Sequence, residues 1–102
     1  MHLYPSLRGR VVLITGAGRG FGRLMALALA EQGALILGTA GRNRAELDAT
    51  AAAVDAAAQA TGRGGRFVGT LADVSRDADC EAAAALAVRE FGRIDALVNN
   101  AG

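Results

Sequence analysis

The residues with the plainest chemical meaning are four glycines at every second position, Gly16, Gly18, Gly20 and Gly22, with Arg19 set among them. They stand directly after the apolar run Val11-Val12-Leu13-Ile14. Glycine loses more conformational freedom on folding than any other residue, so a loop this bare is unfavourable unless the backbone itself is needed. A strand, a bare turn and a helix start create that need. The first N–H groups of a helix have no partner inside it, and the helix dipole places partial positive charge there. Side chains would hold a pyrophosphate away from those amides, and Arg19 adds a fixed positive charge beside them. The chemistry expected of this stretch is phosphate binding.

The elements that must position the loop can be read on either side of it. Val11 to Ile14 has the β-branched, continuous character of a strand buried on both faces. Gly20 to Gln32 reads as a helix with Phe21, Leu24, Ala28 and Leu29 near one face, ending at Gly33. Leu35 to Leu37 is a second strand. Asn43 and Glu46 have the spacing of a capping box for a helix that runs to Gly62, with Leu47, Ala51, Val54 and Ala58 along one side. Phe67 to Leu71 is a third strand. Asp77 to Phe91 is a helix with Cys80, Ala84, Ala87, Val88 and Phe91 on its apolar face, a placement that makes Cys80 a buried structural thiol. Ser75 is placed to cap that helix, and Ala96 to Val98 is a fourth strand. The order β-α-β-α-β-α-β calls for a parallel sheet with right-handed crossovers, the first half of a doubly wound α/β (Rossmann) fold, in one domain over residues 1–102.

The glycine spacing does not satisfy the general dinucleotide pattern G-x-G-x-x-G, whose last position would fall on Phe21 or Arg23. It also lacks the Lys-Ser/Thr of a phosphoryl-transfer loop. Thr15-Gly16 followed by Gly20-Phe21-Gly22 makes T-G-x-x-x-G-x-G, which resembles the classical short-chain dehydrogenase/reductase family. Two further stretches resemble that family in order and approximate spacing: Ala72-Asp73-Val74 after the third strand and Asn99-Asn100-Ala101-Gly102 after the fourth. The resemblance implies cofactor contacts at Gly16, Gly18, Arg19, Gly20, Phe21, Gly22, Asp73, Val74, Asn100, Ala101 and Gly102, with Asp73 against the adenine. Gly18 departs from the serine that many members carry.

An NAD site in this fold places Asp or Glu on the ribose hydroxyls about 20 residues past the glycines. Leu37 to Arg44 contains no acid, and the first one, Glu46, lies inside the second helix. The loop offers Arg42 and Arg44 instead. A guanidinium grips a 2′-phosphate through two parallel hydrogen bonds, where a carboxylate would repel it. NADP(H) is therefore expected over NAD(H), with Arg42 joining Arg19. The loop is slightly longer than in common members, which keeps Arg44 open as the alternative.

The same resemblance implies a catalytic Tyr-x-x-x-Lys pair with a serine and an asparagine beyond Asn99-Asn100-Ala101-Gly102. All 11 basic side chains counted as lysine or arginine are arginine, the single tyrosine is Tyr4, and the serines are Ser6 and Ser75. No catalytic and no metal-binding residue is assigned. The expectation is the cofactor-binding half of an oxidoreductase acting on a carbonyl or alcohol, in a chain itself inactive. Two other readings stay open: a non-catalytic NADP(H)-binding or redox-sensing module, and a methyltransferase half-domain, which usually has an acid after its second strand.

Bulk properties narrow the rest. A formal net charge of +1 implies no nucleic acid or membrane surface as partner. No apolar run approaches the ~20 residues of a membrane span, and the first residues lack a signal-peptide core. One cysteine cannot form an internal disulfide, which fits a reducing cytoplasm. The fourth strand would leave an uncovered edge, so self-association is expected.

Overall fold

The computed structural model of the chain describes residues 7–101; Tyr4, Ser6 and Gly102 lie outside that range. Seven elements follow in strict alternation: β1 (Val11–Thr15), α1 (Gly20–Glu31), β2 (Leu35–Ala40), α2 (Arg44–Thr61), β3 (Arg66–Leu71), α3 (Asp77–Phe91) and β4 (Ala96–Asn99). The strands form one parallel sheet in the order β3-β2-β1-β4. β1 is interior and buried along its whole length, as its run of branched residues requires. The order turns back at β1, since β2 leaves on one side of it and β4 returns on the other. The carboxyl end of β1 is therefore the switch point, where this class of sheet opens a crevice.

The two faces are covered unequally. On one, α1 and α2 pack against Val12, Ile14, Ile36 and Phe67. On the other, α3 alone brings Ala83 and Ala87 onto Leu13 and Leu37. β4 is an edge strand, and on the side of α3 Leu97 is 61% and Val88 49% exposed. No helix among the described residues is long and apolar enough to cross a membrane.

The buried face of α1 differs from the expected one. Gly22, Ala26 and Ala30 turn inward, one turn apart, while Phe21 and Leu24 are 66% and 63% exposed. The cause is close approach: a Cβ at Gly22 would overlap the Gly16 carbonyl oxygen, and one at Gly65 would overlap that of Ala30. A helix seated this near the chain beneath it presents its smallest residues inward. The same correction applies to α3, where Ala83 and Ala87 are buried while Cys80 and Val88 are exposed. Cys80 is thus not a buried thiol.

Helix ends follow local chemistry. The Asn43 side chain accepts from the Glu46 N–H at 3.0 Å, the expected first half of the capping box. Gly62 and Gly92 close α2 and α3 in the left-handed region, at φ 68° and 89°. Ser75 does not cap α3: the N-cap is Arg76, and Ser75 donates its N–H and hydroxyl back to Asp73 Oδ1.

Candidate functional site

The crossover from β1 to α1 is held from three directions. Ala17 N–H donates to the Thr39 carbonyl at 2.8 Å, tying the loop to the end of β2. From α2, the buried hydroxyl of Thr50 donates toward the carbonyls of Ala17 and Gly18, at 3.0 and 3.3 Å. From beyond β4, the Asn100 side chain donates to the Gly16 carbonyl at 3.1 Å. Thr15 completes the third tie. Its Oγ1 accepts from the N–H groups of Asn100 and Ala101 at 3.0 and 3.1 Å, and its proton points to Asn99 Oδ1 or the Val98 carbonyl. The loop's carbonyls are thus spoken for by protein donors.

Beyond Ala17, the end of the loop that opens α1 is left without a capping side chain. Arg19 is the N-cap of α1, no side chain caps that end, and the first turn carries no acid. Gly16 and Gly20 stand at φ 69° and 59°, a region side chains rarely adopt. A Cβ at Gly16 would also press on Asn100 and Ala101, at 3.1 and 3.2 Å. An uncapped helix start behind a turn that only glycine adopts freely has the geometry of an anion cradle.

Above the cradle lies a cavity of about 520 Å³, within the range of cofactor sites. The β1–α1 crossover lines it with Gly16, Gly18, Arg19, Gly20 and Phe21. The end of β2 and the start of α2 contribute Ala40, Gly41, Arg42, Asn43 and Glu46, and the segment after β4 contributes Asn100 and Ala101. Eight of the residues singled out in the sequence therefore meet in one cavity.

Four do not. Gly22 is buried beneath the cavity, where its missing side chain admits the Gly16 carbonyl and not a ligand. Gly102 lies outside the described residues. Val74 lines a different, apolar hollow of about 320 Å³ between α3 and the β1–β4 edge, together with Leu13, Thr39, Cys80 and Leu97. Asp73 lines neither. Its Oδ1 is engaged by Ser75, and its N–H donates to Asp79 Oδ2. The Ser75 hydroxyl and N–H hold the Asp73 carboxyl below its ordinary range against a small opposing effect of desolvation, and Arg76 and Arg42 add to the lowering.

The two candidate arginines separate cleanly. Arg44, the first residue of α2, reaches back to the Gly69 carbonyl at 3.4 Å and pairs loosely with Asp48 one turn on, at 3.9 Å. Arg42 lines the cavity, and neither it nor Arg19 forms an ion pair with a described residue. Ala40, Gly41, Asn43 and Glu46 line the cavity without having been singled out as site residues, and Thr15 and Thr50 support its loop. Thr50 carried a usable signal, a lone hydroxyl on the face shared by Leu47 and Val54. Thr15 stood inside the motif, unassigned. Glu46 both takes part in the cap of α2 through its N–H and lines the cavity.

A parallel sheet in this order, with an uncapped glycine crossover at its carboxyl end, defines a Rossmann-type nucleotide-binding fold. Comparison with known proteins gives the family. Residues 10–102 match the short chain dehydrogenase family, and the chain belongs to it. An uncharacterized oxidoreductase of Methylorubrum extorquens is 38% identical over 96 residues, spanning 94% of this chain and 36% of that protein. A short-chain dehydrogenase/reductase from Serratia marcescens superposes with a TM-score of 0.83 at 35% identity, over 97% of this chain and 38% of its own. An NADH-dependent reductase, A1-R′, solved with NAD, superposes with a TM-score of 0.82 at 31% identity, over 96% and 38%. The chain thus spans well under half the length of these relatives. Members of the family are oxidoreductases that use a nicotinamide cofactor.

Proposed function

We propose that this chain is the cofactor-holding part of an NADP(H)-dependent short-chain oxidoreductase that moves hydride between nicotinamide and a carbonyl or alcohol substrate. The observation that carries the reading is the position of Arg42. It stands in the same cavity as Arg19 and the uncapped start of α1, while Arg44 is drawn away to Gly69 and Asp48. Two guanidinium groups from separate loops match a phosphate on the adenosine ribose, and the bare amides of the crossover match the pyrophosphate.

The residues present fit such a cofactor, and their roles divide by chemistry. Gly16, Gly18 and Gly20 let backbone approach phosphate. Thr50, Thr15 and Asn100 hold the loop's carbonyls, which keeps those acceptors from facing an anion. Nicotinamide supplies the hydride when bound. The chain contains no lysine, so the Tyr-x-x-x-Lys pair of the family is not among its residues. The 102 residues accordingly hold the dinucleotide without turning substrate over. A reducing cytoplasm and a homo-oligomer complete the proposal.

Titration with NADPH and NADH tests this directly. NADPH is expected to bind more tightly, and Arg42→Ala to weaken NADPH about tenfold or more while leaving NADH nearly unchanged, the loss of one charge-assisted contact. Equal affinities for the two nucleotides in the unaltered protein would refute the phosphate clamp.

A further inference from the structure

Glu46 is an acid in a cavity whose other charges are positive. It lines the same space as Arg19 and Arg42, and its carboxylate makes no ion pair or hydrogen bond with any described residue. Its backbone is fixed at both ends of one turn: its N–H is held by Asn43, and Thr50, four residues on, is bonded to the carbonyls of the glycine loop. Gly18 makes room for its stem. A Cβ built at Gly18 would stand 3.3 Å from the Glu46 Cβ and 3.5 Å from Leu47 N, so the start of α2 lies directly against the bare loop. Glu46 is thus held beside the glycines in a chain with no acid at the end of β2.

A carboxylate in this place acts in opposite directions on two ligands. It accepts a hydrogen bond from a free ribose hydroxyl, and it repels a phosphate carrying nearly two negative charges. Resting on the proposed cofactor site, we infer that Glu46 is a specificity-determining residue that narrows the preference for a 2′-phosphorylated adenosine, so that the site holds both NADP(H) and NAD(H). Arg19 and Arg42 favour the phosphorylated ribose, Glu46 favours the plain one, and the measured discrimination is their difference.

The test uses the two adenosine fragments, 2′,5′-ADP and 5′-AMP, titrated calorimetrically against the unaltered chain and the Glu46→Gln, Glu46→Asp and Arg42→Ala variants. Glu46→Gln is expected to raise the affinity ratio of 2′,5′-ADP to 5′-AMP about five- to tenfold, the size of a like-charge repulsion in a partly solvated cleft. Glu46→Asp, which keeps the charge, is expected to stay near the original ratio, and the gain in Glu46→Gln to shrink as salt is added. A ratio unchanged by Glu46→Gln, alongside a ratio lowered by Arg42→Ala, overturns the inference and leaves the cofactor site standing. Failure of both fragments to bind, or a ratio indifferent to Arg42→Ala, overturns the cofactor site and this inference with it.

Discussion

Replacing Thr15 by valine keeps the shape of the side chain and removes one oxygen. That oxygen accepts from two backbone amides, Asn100 at 3.0 Å and Ala101 at 3.1 Å, and directs its own proton to the end of β4. Thr15 is buried and the bonds are partly so. Each amide left without an acceptor therefore costs toward the lower end of the penalty for an unsatisfied buried group, about 1 kcal/mol. The sum is about 2 kcal/mol, roughly a thirtyfold change in the folding equilibrium. In a domain of this size it corresponds to a fall in Tm of about 8–16 °C. Thr15→Ser loses a methyl group and keeps the acceptor, so it is expected to fall between the two. Urea unfolding gives the totals, and amide hydrogen exchange gives the location. Protection of Asn100 and Ala101 should collapse in the valine variant and survive in the serine one. A valine variant within about 0.5 kcal/mol of the unaltered protein, with both amides still protected, would refute the assignment of Thr15 as the joint between β1 and the segment after β4.

Other expectations follow from the same geometry. Gly22→Ala places a methyl group on the Gly16 carbonyl and should cost about 1–3 kcal/mol in overpacking while abolishing nucleotide binding, measured by denaturation and calorimetry on the same sample. Thr50→Val removes the donor to the carbonyls of Ala17 and Gly18 and should lower stability by about 1 kcal/mol and weaken nucleotide binding; unchanged values for both would count against α2 as the loop's support. Asp95 accepts from Arg93 and from the Val11 N–H, contacts that hold its carboxyl below the ordinary 3.8. Its stabilising effect is then fully present above that ordinary value and lost as pH falls through the lower folded value. The acid limb of a stability–pH curve should flatten in Asp95→Asn.

The alternation of elements was open to reading because each strand is short, apolar and bounded by glycine or a capping residue, so ends and types were marked locally. Facing was not. In α1 nearly every position from Leu24 to Ala30 is apolar, so periodicity has no contrast to report, and the inward side is chosen by which residues are small enough to touch backbone. The alanines of α3 hide its orientation in the same way, which is how Cys80 came to be placed on the wrong side. At the site, the glycines and Arg19 were legible because a strand followed by a bare turn and a helix start is marked by residue type and order alone. The different surroundings of Arg42 and Arg44 were not, since they turn on Arg44 being the first helical residue with Asp48 one turn ahead and β3 beside it. The helix-capping role of Glu46 is legible from its spacing to Asn43, whereas its place on the cavity wall is set by how α2 packs beside the glycine crossover, which spacing does not report.

The tie between Thr15 and the segment after β4 spans 85 and 86 residues of chain. The anchor that steadies the glycine turn is thus supplied by a segment remote in sequence, and the turn cannot be closed from that side until β4 has docked beside β1. Contacts of such long range form only after a large loop has been closed. The order of the β1–α1 crossover is therefore tied to the pairing of β1 with β4 and not to the local sequence around its glycines.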